Sequence, residues 1–169
     1  LIRRKVDSTD EQGDRTFTLT GYDGNYLLGR AIVAYNAGSA YAAKTANIDD
    51  MMKAIVRENL SSLATDTARQ KAAPYLTVQP DTSLGASITK SFSRRNLLEV
   101  LRDLSDASRT QTPNIYFDVV PMSESRFEFQ TFKNQRGADR SFPSGYSPLL
   151  IGLEYGNLSR PSVDEDWSD

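Results

Sequence analysis

Residues 115–140 read IYFDVVPMSESRFEFQTFKNQRGADR, and the change of pattern inside this stretch decides the fold. Ile115, Phe117 and Val119 alternate with Tyr116, Asp118 and Val120. PMSES turns the chain, and Phe127, Phe129 and Thr131 answer across it. A period of two is that of a strand with one covered face, so the stretch predicts an antiparallel hairpin. The alternation then stops at a loop, Gln135 to Arg140, that carries Arg136, Gly137, Asp139 and Arg140. Gly137 permits a left-handed turn, and Asp139 can pair with either arginine. The loop is therefore read as a structural turn and an inter-subunit polar contact. The competing reading is an anion site, since two arginines suit bidentate phosphate or carboxylate. It is not the adhesion tripeptide, because Ala138 intervenes.

Working outward, the period changes to 3.6 in two places. Met52, Ile55, Val56, Leu60 and Leu63 mark an amphipathic helix from Asp49 to about Ala64, with Asn47, Asp49 and Asp50 as cap and first-turn carboxylates. Leu97, Leu98, Leu101 and Leu104 mark a second helix, with Ser93 as its cap. Leu1–Val6 and RTFTLTG (15–21) predict a hairpin with Phe17 and Leu19 on one face and threonines on the other. Tyr26, Leu27 and Leu28 predict a single helical turn, and Ala31–Tyr35 a short strand. Between the long helices lies a polar, proline-punctuated stretch, within which YLTVQP and ASITKSF are weaker strand signals. SPLLIGLEYG supplies a last apolar strand. Strands, helix, helix, strands is an α+β order with antiparallel pairing, not a βαβ repeat. The expected divisions are 1–64, a connecting segment 65–92, a helix-and-hairpin lobe 93–160, and an acidic tail 161–169. The opening LIRRKV and the closing VDEDWSD read as the ends of a segment cut from something larger.

Composition excludes several chemistries. The 169 residues contain no Cys and no His. Thiol nucleophiles, zinc–thiolate sites, Ser-His-Asp triads and HExxH sites are thereby ruled out. Charged residues are 25% of the chain and the formal charge is −2, so no basic field points to nucleic acid. No apolar run approaches the roughly 20 residues that span a bilayer. Ser87-Ile-Thr-Lys90 matches an S-x-x-K pattern, but without the SDN and KTG partners that chemistry needs. Asn59-Leu-Ser61 and Asn157-Leu-Ser159 match the glycosylation pattern by chance. Asp7, Asp10, Glu11 and Asp14 crowd a hairpin tip without the spacing of a calcium loop. No catalytic, cofactor or metal residue is expected, and the chain is not expected to be an enzyme.

Five blocks taken in order are more specific: TFTLTGYDGNYLLGRAIV, DDMMKAIVRENL, NLLEVLRDLSDAS, FDVVPMSESRFEFQTFKNQRGADRS and LEYGNLSRPS. Together they resemble siphovirus and prophage tail proteins of the baseplate-hub type. The match lies at Gly21, Tyr22, Asp23, Leu27, Leu28 and Arg30, at Val56 to Asn59, and at Leu97, Leu98 and Leu101. It continues at Thr131, Phe132, Gln135, Arg136, Gly137, Asp139 and Arg140, the most specific block. The resemblance implies a tube-like β-barrel or sandwich portion, of which residues 1–64 would be part, beside a smaller mixed lobe. It implies a structural protein of the virion tail tip, assembled in the host cytoplasm as a homotrimer or ring. That ring would link the tail tube to distal tail proteins and enclose a channel through which DNA passes without specific binding. Tyr22, Asp23, Arg30 and the 135–140 loop are its candidate structural or interface residues. Two other classes remain open: a cellular α+β ligand-binding module, and a carboxylate-based cell-wall glycan hydrolase. The hydrolase would need two carboxylates flanking a groove.

Overall fold

The computed structural model describes residues 2–9, 13–34, 42–64, 66–92, 94–134 and 136. The chain forms two compact units, Leu1–Asn134 and Gln135–Asp169. All the structure that follows, Arg136 apart, belongs to the first. The strand expected in SPLLIGLEYG and most of the 135–140 loop lie outside the described residues.

The α+β class holds, with three small sheets among the described residues. Strands β1 (Ile2–Thr9) and β2 (Arg15–Gly21) form an antiparallel hairpin. A one-turn helix, α1 (Tyr26–Gly29), follows as its leucines predict. Strand β3 (Ala42–Asn47) leads directly into helix α2 (Ile48–Leu60). The weaker strand signals are real: β4 (Leu76–Val78) and β5 (Ser87–Phe92) are both present. Helix α3 (Leu97–Ser108) then precedes β6 (Ile115–Ser123) and β7 (Arg126–Lys133). β3 pairs antiparallel with β5, while β4, β7 and β6 form one sheet in that order.

Each departure from the expected pattern has a local cause. β4 lies parallel to β7, Leu76 beside Phe127 and Val78 beside Phe129, whereas antiparallel pairing alone was expected. Parallel neighbours need a long crossover, and the segment carrying β5, α3 and β6 provides it. β6 runs on through Pro121 to Ser123, so the turn is narrower than PMSES. Among the described residues β6 is an edge strand, where proline's missing N–H is tolerated. Ala31–Tyr35 makes no strand among its described residues, only a bridge between Ile32 and Asn96. Backbone bonds from Val33 N to Arg95 O and from Leu97 N to Ala31 O hold it against the start of α3. The cap of α3 is Asn96 rather than Ser93, its side chain accepting from Leu98 N at 3.0 Å and Glu99 N at 3.4 Å. Helix α2 stops at Leu60, because Ser61 turns extended (φ −94°, ψ −176°) and returns its hydroxyl to Arg57 O. Leu63, expected on the buried stripe, is therefore 67% exposed.

The core lies where α2 and α3 meet the β4–β7–β6 sheet. Met52, Ile55 and Val56 of α2 and Leu97, Leu101 and Leu104 of α3 are buried against Ile115, Val119 and Phe129. One cluster thus draws on residues far apart along the chain. Phe117 and Phe129 stack across the hairpin with ring centroids 5.9 Å apart. At the end of α3, Ser105 and Ser108 are buried but satisfied. Ser105 donates to Ile115 O at 2.8 Å, and Ile115 N donates to Ser108 Oγ at 2.8 Å. Buried hydroxyls are tolerated only when bonded in this way.

The 65–92 stretch, read as a connecting segment, is gripped by α2. Asn47 makes no cap bond; its amide donates instead to Ser83 O and Gly85 O. Asp50 accepts from the backbone of Thr82 and Ser83. Asp49 and Lys53 are both wholly buried, 3.1 Å apart, one helical turn from each other. Lys53 also donates to Pro80 O and Thr82 Oγ1, and Asp49 accepts from Thr82 Oγ1 and Leu84 N. Arg57 reaches Gln79 O and Asp81. Gly85, at φ +78°, completes the crossing, since a Cβ there would meet Ile115 at 3.0 Å. Burial opposes ionisation of Asp49. The bonds from Thr82 and Lys53, the Lys53 charge and the Asp50 backbone outweigh it and hold the carboxyl below its ordinary range.

Candidate functional site

Among the described residues, a concave site with chemical variety lies where the loop after β2 meets α3 and β6. Its sequence is GYDGNY, and two features force it onto the edge strand. Gly24 packs so tightly that a Cβ there would lie 2.6 Å from Val119 O. Only a glycine lets the backbones approach so closely. Asn25 then donates its amide to Asp118 Oδ1 at 3.1 Å and to Asp23 Oδ2 at 3.4 Å. Asp23 Oδ1 accepts from Tyr26 N at 3.2 Å, which closes the turn into α1.

Aromatic stacking stiffens the same loop. Tyr22 and Tyr26 lie face to face, 4.0 Å between centroids and 6° from parallel. The Arg30 guanidinium sits 5.7 Å from the Tyr26 ring, a cation–π distance. From the other side come Leu98 and Arg102, four residues apart and so on one face of α3. Phe117 of β6 completes the lining. The result is an open cleft of about 280 Å³ bounded by Tyr22, Asp23, Asn25, Tyr26, Leu98, Arg102 and Phe117.

The charges on its rim are not equivalent. Both oxygens of Asp23 accept hydrogen bonds from the loop itself. Two aspartates of α3 are paired, Asp103 with Arg95 at 2.5 Å and Asp106 with Arg109 at 3.5 Å. Arg102 is exposed and, among the described residues, makes no hydrogen bond or ion pair. In the same wall Asn25 Oδ1 is buried and has no partner among the described residues.

Of the residues expected to matter, the structure brings Tyr22, Asp23 and Arg30 together around Tyr26. Arg136 is exposed, while Gln135, Gly137, Asp139 and Arg140 lie outside the described residues. Asn25, Leu98, Arg102 and Phe117 were not expected as site residues. The spacing of Leu98 and Arg102 places them on one helix face, but nothing local says which loop faces it. The remaining motifs fall in structural settings. Ser87 and Lys90 lie on strand β5, not at a helix start. Asn59 is 4% exposed, accepts from Ala34 N and donates to Ile55 O, which closes it to a glycan. Asp7 pairs with Lys5 on the hairpin, and the described residues contain no group of three or more acids placed to hold a metal ion. Among them no helix is long and apolar enough to cross a membrane. No known protein family, curated protein or solved structure matches this chain.

Proposed function

We propose that this chain is a structural component of a bacteriophage or phage-like tail: a baseplate or tail-tip hub element in the virion that joins the tail tube to distal proteins around the DNA channel. The observation that carries the reading is the convergence of the sequence blocks on which the resemblance rests. Tyr22 and Asp23 from the first block meet Leu98 from the third at one cleft, and Arg30 lies over the ring of Tyr26, which lines that cleft. Leu28, Val56, Leu97 and Leu101 from three blocks enter one core. Asn59 ties the second block to Ala34. Residues that serve one fold together are expected to persist together in a family, and this convergence supports treating the blocks as one signature.

The homotrimer or ring belongs to the same proposal. Closed rings are built from head-to-tail contacts between unlike patches. Light scattering of the protein over a range of concentrations, followed by mixing with isolated phage tail tubes, tests it. A closed oligomer, or a monomer that binds the tube end, is the expected result. A monomer at every concentration that also ignores tail tubes would overturn it.

The cleft favours a second reading, a ligand-binding module, and such a protein would be a stable monomer. A glycan hydrolase gains less support. Asp23 and Asp118 do approach each other, but the Asn25 amide sits between them, bonded to both. In a glycosidase that space holds the scissile bond.

A further inference from the structure

We propose that the cleft beside α3 is a docking point for an acidic side chain, glutamate or aspartate, presented by a neighbouring protein chain, with Arg102 as its anchor. The inference rests on the reading of this chain as part of an assembly, but its test does not. Arg102 is the exposed cation of the cleft that has no partner among the described residues, whereas Asp23 is engaged twice by its own loop. A guanidinium presents a planar fork that matches a carboxylate with two parallel hydrogen bonds. Leu98, Phe117 and the Tyr22–Tyr26 pair offer an apolar wall for the methylenes of the incoming side chain.

Size and composition favour a side chain over a free small molecule. Pockets for small molecules usually span about 300–1,000 Å³ and enclose most of the ligand. This cleft, at about 280 Å³, lies at the lower end of that range and is open, so it would leave much of a small molecule in solvent. Tyrosine and arginine are also the residues that dominate binding energy at protein interfaces. The wall is already set, because Gly24 is locked against Val119 and Asn25 against Asp118. A preordered wall avoids the entropic cost of arranging it on binding.

The experiment uses the whole chain, labelled with ¹⁵N, and three capped amino acids as probes: N-acetyl-glutamate, N-acetyl-glutamine and N-acetyl-lysine methylamides. The expected result is that the glutamate probe shifts the amide signals of Tyr22–Tyr26, Leu98, Arg102 and Phe117 with millimolar affinity. The glutamine probe should bind about tenfold more weakly, a difference of about 1.4 kcal/mol. The Arg102→Gln variant, at an exposed position, should keep the spectrum of the core and lose that preference. Arg102→Lys should retain only part of it, since the two-pronged geometry is gone. Equal binding of glutamate and glutamine would overturn the proposal, as would an unchanged preference in Arg102→Gln. Stronger binding of the lysine probe would assign the cleft to cations through Asp23, and would overturn it too. So would the lack of shifts at tens of millimolar, or shifts confined elsewhere. A protein that binds glutamate here yet stays monomeric and ignores tail tubes would keep this site while losing the hub reading.

Discussion

The two hairpins of this chain look alike as sequence and differ entirely as structure. In β6–β7 one face is covered by the helices: Phe129 and Ile115 are wholly buried and Val119 is 3% exposed. In β1–β2 every described side chain is exposed, with Phe17 at 65% and Leu19 at 49%. The register explains how β1–β2 manages this. Lys5 lies opposite Leu19 and Asp7 opposite Phe17, so a charged pair shares the face of the apolar residues. The Lys5 ammonium is 5.9 Å from the Phe17 ring and 3.4 Å from Asp7. Alternation marks a strand in both cases, but it says nothing about what covers the apolar face.

The difference can be broken most forcefully at Phe129. Phe129→Ala should destabilise the protein by about 3–5 kcal/mol, the cost of a large cavity that cannot collapse. Urea unfolding would read this directly. A loss below about 1 kcal/mol would mean that the β6–β7 face is no better covered than the hairpin.

Next in size is the buried pair on α2. Lys53→Met leaves Asp49 buried without its partner, which costs about 3–5 kcal/mol at neutral pH. The sign with pH follows from the lowered carboxyl value of Asp49. Its contribution is complete above the ordinary aspartate value near 4 and is lost as pH falls through the lower folded value. The Asp49→Asn variant should therefore lack this part of the acid slope. An identical slope in both proteins, from thermal melts at pH 5 down to about 2, would show that Asp49 does not carry it.

A smaller effect is expected where the loop meets the edge strand. Gly24→Ala forces a Cβ against Val119 and should cost about 1–3 kcal/mol, with signals of the cleft residues moving most. The smallest effect belongs to the exposed hairpin. Phe17→Ser should change stability by no more than about 0.5 kcal/mol. A larger loss from the isolated chain would show that something covers Phe17 in solution, and the contrast between the hairpins would narrow.

Much of the fold was legible before any coordinates. The 3.6-residue stripes of α2 and α3 and the alternation of β6 and β7 are local signals, each strong over several repeats. The short strands β4 and β5 were faint because three to six residues carry few repeats, and β4 is defined by its partner β7. The cap of α3 was misplaced by three residues, since Ser93 and Asn96 both suit a helix start. The candidate site was half legible. Tyr22, Asp23 and Arg30 came from the GYDGNYLLGR block, while Arg102 and Phe117 were invisible because their neighbours lie far away in sequence.

The sequence by itself determined the two long helices, the β1–β2 and β6–β7 hairpins and the chemistries that a chain without Cys or His cannot perform. Those properties are set residue by residue and by spacing along one segment. Only the tertiary structure decided the parallel seat of β4, the burial of Asp49 with Lys53 and the exposure of Phe17. It alone decided the meeting of Arg102 with the Tyr22–Tyr26 loop. Each of these depends on which distant segment arrives at a face, and that choice is made by packing the whole core at once rather than by any local pattern.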